Sequence, residues 1–108
     1  MWKYLDNGTD QGTVWRNPGF NDAPWASGPA QLGYGDGDEA TVVNGGPAPN
    51  RYITTYFRHT FTVSNLSTYI AQVLEVKRDD GAVVYFNGIE VGRFNMNPGP
   101  VTYLTPAP

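Results

Sequence analysis

Cysteine is absent from all 108 residues, so neither disulfides nor thiolate chemistry can contribute to this protein. That absence chooses no compartment by itself, because many exported domains also lack cysteine. Charge is scarce too. Charged residues make up 16% of the chain, and the net charge is −3. The seven Lys and Arg form no cluster, which argues against nucleic acid as a partner. No apolar run approaches the roughly 20 residues that span a bilayer, so no membrane span is expected. The opening MWKYLDNGTD has neither the basic start nor the apolar stretch of a secretion signal; an exported chain would have lost its signal already. Helical periodicity is equally thin. No useful window repeats apolar residues at i, i+3, i+4 and i+7 without a Gly or Pro intervening. Only SNLSTYIAQ (64–72), with Ser64 as a cap, predicts a turn or two of helix.

What is plentiful is glycine (13), proline (9) and aromatic residues (14%) in a chain that is 40% hydrophobic. That mixture predicts one all-β domain of short strands joined by turns, over a core of modest size. The strands are expected mostly in the second half. RYITTYFRHTFTV (51–63) alternates, placing Ile53, Thr55, Phe57, His59, Phe61 and Val63 on one face, the expected core face. Tyr52, Thr54, Tyr56, Arg58, Thr60 and Thr62 share the other, expected to be half exposed. QVLEVKR (72–78) alternates as well, and AVVYF (82–86) is apolar on both faces, as in a central, covered strand. Asn87-Gly88 supplies the two positive-φ residues of a type I′ hairpin turn, after which IEVGRF (89–94) returns antiparallel. VTYL (101–104) predicts a last short strand. Residues 16–50 read as a long ordered loop system, with NGGPAPN (44–50) at the surface. The architecture these elements predict is an antiparallel β-sandwich.

Few groups carry chemistry. YGDGDEA (34–40) gathers Asp36, Asp38 and Glu39 among flexible glycines, and Asp6 and Asp10 form a looser pair. The spacing is not that of an EF-hand, but like charges this close repel, and a structural Ca2+ ion would relieve the repulsion; a solvated acidic loop is the alternative. Asp79-Asp80-Gly81 before a strand predicts a corner, with the Asp side chains bonding backbone N–H groups and Gly81 taking a positive φ. The same two carboxylates could instead serve as hard ligands for calcium or a sugar. Trp2, Trp15, Trp25, Tyr34, Tyr52, Tyr56 and Tyr69 offer ring faces for a pyranose, although Trp in a small sandwich is more often packing, and Trp25 is read that way. Tyr34, between Gly33 and Gly35, is the ring best placed for the surface. His59, flanked by Phe57 and Phe61, is expected at least half buried. With one His, and neither G-x-S-x-G nor H-x-x-x-H, neither a hydrolase elbow nor a zinc site is indicated. Adjacent acids do not make the separated carboxylate pair of glycoside hydrolysis.

The order and spacing of residues 2–43, YITTYFRHTFTV (52–63) and RDDGAVVYFNGIEVGRFNM (78–96) resemble a galactose-binding-like jelly-roll module. Such modules are appended to secreted bacterial hydrolases, metallophosphoesterases among them, and to lamin-tail-type surface proteins. The piece FND-x-x-W, from Phe20 to Trp25, is similar to a corner of glycosidase jelly rolls. The resemblance implies a non-catalytic, extracellular accessory module that binds carbohydrate or anchors a larger protein. Tyr34, Tyr52, Tyr56, Asp79 and Asp80 are then candidates for the ligand. Modules of this kind continue well past a point like VTYLTPAP. The expectation is therefore that closing strands come from a second chain or a second copy, the alternative role being a structural spacer that pairs by strand complementation.

Overall fold

The chain enters a strand at once. A computed structural model describes residues 1–61, 76–78 and 80–108. Strand β1 (Trp2–Leu5) lies between β2 (Ala26–Gly28) and β5 (Tyr56–Arg58), antiparallel to both. Lys3 stands opposite Ser27 on one side and Arg58 on the other. As the middle strand, WKYL is half-buried along its whole length. Gly28 lets β2 lie close to its neighbour, because a Cβ there would strike the side chain of Thr41. That threonine begins β4 (Thr41–Val42), which pairs in parallel with β3 (Leu32–Gly33). Parallel neighbours ordinarily need a crossover of a dozen residues or more. Here the pair is two residues long, and the chain returns through residues 34–40 alone, with Gly35 (φ 94°) and Gly37 (φ 83°) supplying backbone shapes that other residues resist. This tight return is where the acidic residues sit.

The third sheet is the hairpin of β6 (Ala82–Phe86) and β7 (Ile89–Phe94). Its corner has φ of 51° at Asn87 and 83° at Gly88, the type I′ geometry the dipeptide predicts. The register shifts between Val84 and Tyr85: Val84 faces Gly92 and Tyr85 faces Glu90, leaving Val91 as a bulge. In a regular strand residues three apart point to opposite faces. The bulge restores Glu90 and Arg93 to one face, where Arg93 Nε and Nη2 donate to the Glu90 carboxylate at 2.9 and 3.0 Å.

Packing centres on Trp25, Val43 and Tyr56, the buried hydrophobic residues among those described. Trp25 packs against Phe20 and Tyr56, as its place in FND-x-x-W predicts. Trp15, in the single helical turn Val14–Arg16, sets its ring edge-on to both Tyr56 (5.0 Å) and Tyr85 (5.7 Å), joining the hairpin to the three-stranded sheet. Arg58 ties the 17–25 loop to β5. It pairs with Asp22 at 2.6 Å, donates to the carbonyls of Phe20 and Asn17, and lies over the Phe20 ring.

The fold is all-β, with antiparallel sheets and one short parallel pair, but several expected details differ. In 51–63 the strand covers only Tyr56–Arg58 of the described residues, and the inward face is the opposite one. Tyr56 is buried while Ile53 (50%) and Phe61 (56%) are exposed. His59 is exposed too, its Nδ1 2.8 Å from the Met1 carbonyl and its ring 4.9 Å from Trp2. The strand ends at Arg58, so alternation says nothing about residue 59. β6 is half-buried and, among the described residues, pairs with β7 alone. Residues 101–104 form no strand: a turn over 102–105 is closed by the Thr105 N–H donating to the Thr102 carbonyl. β2, β3 and β4 fall within 16–50, where the sequence reads as a loop system. Residues 64–72, expected to hold a helical turn, and most of 72–78 lie outside the described residues.

Candidate metal and glycan site

Glu39 organises the acidic return. Its Oε1 accepts the Asp36 N–H at 3.0 Å and its Oε2 the Gly37 N–H at 3.1 Å. These bonds, that of Asp36 first, hold the Glu39 carboxyl below the ordinary glutamate range. Asp36 and Asp38 are exposed, and one carboxylate oxygen from each of the three residues lies within 4.8 Å of the others. Asp38 is partly offset. Its Oδ1 accepts Gln31 Nε2 at 3.4 Å, and its Oδ2 lies 3.8 Å from Lys77 Nζ, which donates to Gln31 Oε1 at 3.1 Å. Three carboxylates and one ammonium leave a local charge that a divalent cation would neutralise. Carboxylate oxygens at this spacing suit calcium's preference for hard oxygen ligands.

The other proposed metal ligands have different partners. Asp6 Oδ2 accepts the Asn44 N–H at 2.6 Å, tying the N-terminal loop to the chain after β4. Asp10 Oδ1 accepts the Gly12 N–H at 2.8 Å within its own turn. Among the described residues the triad Asp36, Asp38 and Glu39 is the one group of three such ligands that converges.

Tyr34 begins the return and is 43% exposed. One part of its ring lies against Gly45, where a Cβ would come within 2.5 Å of the ring, and Arg51 places its guanidinium 5.4 Å from the ring centre. Arg51 Nη1 donates to the Gly46 carbonyl at 2.7 Å. Tyr52 packs its ring on Gly8 and Gly46, and its N–H donates to the Gly45 carbonyl at 2.8 Å. Tyr34 and Tyr52 therefore pack on two successive glycines, Gly45 and Gly46. Tyr56 does not join them. It is buried, its hydroxyl accepts the Gln11 N–H at 3.3 Å, and burial raises its pKa above the ordinary tyrosine value. As a ligand residue Tyr56 is corrected: it belongs to the core, because the inward face of β5 is the reverse of the one its alternation predicts.

At the corner that leads into β6, Asp80, not Gly81, has the positive φ (52°). The Asp80 carbonyl accepts Arg78 Nη1 at 3.2 Å and Asn95 Nδ2 at 2.9 Å. Gly81 is needed for space, since a Cβ there would meet the Asn95 carbonyl, Met96 and Ala107. Asp79 lies outside the described residues. Sequence reading missed Gly45, Arg51, Gln31 and Lys77. NGGPAPN reads as a surface loop, yet Gly45 and Gly46 are buried under aromatic rings. The signal was the Gly-Gly pair close before Tyr52. Comparison with family models, curated proteins and solved structures finds no match for this chain.

Proposed function

We propose that this protein is a non-catalytic accessory module of the galactose-binding-like, jelly-roll sandwich type, which binds glycan outside the cell at a calcium-loaded loop. The observation that carries the reading is the triad of Asp36, Asp38 and Glu39 within two to five residues of the exposed Tyr34 ring. A calcium ion held by three carboxylates keeps coordination positions for paired sugar hydroxyls. Tyr34 offers apolar ring surface to the C–H face of the same sugar, and Arg51 beside it offers donors. Calcium affinities of extracellular modules, roughly 10⁻⁴–10⁻³ M, match the exposure of Asp36 and Asp38. Calorimetric titration with calcium tests the site. The parent should bind one ion, and D36N/D38N should bind none while keeping its circular dichroism spectrum.

A second reading, a structural module that pairs with another chain, rests on the hairpin. Phe86, Ile89 and Val91 are 41%, 71% and 55% exposed there. Apolar residues clustered on one hairpin suit an interface, and a strand edge suits pairing with a second copy or a complementary strand. Light scattering tests it: a concentration-dependent dimer abolished by I89K/V91K supports pairing, and a monomer at all concentrations excludes self-association.

A further inference from the structure

We propose that Asn7 is an acceptor for N-linked glycosylation on the folded protein, by a transferase that uses a sugar-diphosphate donor. The inference is independent of the glycan-binding reading. Asn7-Gly8-Thr9 has the Asn-x-Ser/Thr form that such transferases require. Chance produces this triplet often, so the geometry has to carry the case. Asn7 and Thr9 are both exposed, in the loop after β1. The Thr9 hydroxyl lies 2.6 Å from Asn7 Oδ1, and the Thr9 N–H donates to the same oxygen at 3.2 Å. Gln11 Nε2 donates to the Thr9 hydroxyl at 2.8 Å, which occupies the hydroxyl oxygen and turns its proton toward Asn7. The relay Gln11 to Thr9 to Asn7 thus polarises the carboxamide through its oxygen. Among the described residues nothing accepts from Asn7 Nδ2, so the nitrogen that must react faces solvent. Asn44 makes the contrast. Its Oδ1 accepts the Gly46 N–H at 2.9 Å, but no Ser or Thr stands two residues on.

The loop is also held from beneath. Asp6 is bonded to the Asn44 N–H, and Gly8 (φ 73°) lies against the Tyr52 ring, so the triplet is presented in one shape. In the reaction, Asn7 Nδ2 forms a bond to the anomeric carbon of the sugar. The bond from that carbon to the diphosphate oxygen breaks, the diphosphate leaves with the electron pair, and the nitrogen gives one proton to a base of the transferase.

The test uses the folded chain with a soluble asparagine glycosyltransferase and UDP-glucose, read by peptide mass mapping. A second triplet, Asn65-Leu66-Ser67, is removed by N65Q so that Asn7 is read alone. The expected result is one hexose on Asn7, absent in N7Q and T9A and retained in T9S. Q11A, which keeps the triplet but loses the bond that orients Thr9, should be modified several-fold more slowly. Asn7 left unmodified on the folded chain would overturn the proposal, and equal rates for Q11A and its parent would overturn the relay.

Discussion

Single residues do much of the joining here. Arg58 satisfies a carboxylate and two carbonyls in the 17–25 loop from a position that is mostly covered. Removing it leaves Asp22 and both carbonyls without their partner. R58A should therefore lose about 2–4 kcal/mol of stability in urea unfolding, and R58K should recover part of it. Glu39 sets a pH dependence. Its pKa is lower in the fold than in the unfolded chain, so its contribution is fully present above the ordinary glutamate value. It is lost progressively as pH falls through that value toward the lower native one. E39Q should flatten the acid side of the stability–pH curve. At this scale the sequence was readable where a motif is local. Trp25 follows from its neighbours, and the three acids of the return fall within four residues of chain. Tyr56 was not readable, because its inward direction depends on where β5 starts and ends, which pairing with β1 decides.

Among the elements, the hairpin was the most legible. Asn87-Gly88 dictates its turn, and the runs on either side supply its strands. A methyl group at Gly88 would find its nearest neighbour, the Arg16 carbonyl, 3.6 Å away, an ordinary contact, so the requirement for glycine is conformational, not steric. G88A should cost about 1 kcal/mol in chemical denaturation, while G88N, whose side chain tolerates a positive φ, should cost less. The one mark of the bulge at Val91 in the sequence is Gly92, since an isolated Gly inside a strand pattern suggests a bulge without fixing which residue is extra. Strands β2, β3 and β4 were illegible for a related reason. Two or three residues are too few to show a period, and what fixes them is β1 beside β2, and Thr41 seated on Gly28 with its hydroxyl bonded to the Pro29 carbonyl at 2.7 Å.

For the molecule as a whole, an all-β fold was legible from composition and strand-like runs, whereas the arrangement of its sheets rests on contacts between distant residues such as Trp15 and Tyr85. If the acidic return holds calcium, the ion belongs to the native state alone and stabilises it by mass action. Calcium at about 100 times its dissociation constant should add about 2.7 kcal/mol, visible as a rise in melting temperature that a chelator reverses and D36N/D38N lacks. The most direct test of the proposed role is a glycan array probed with the intact chain in millimolar calcium and again in chelator. The account predicts a defined set of bound glycans in calcium, lost in chelator and lost with Y34A. The same weak signal in both conditions, or binding that neither chelator nor Y34A changes, would contradict it.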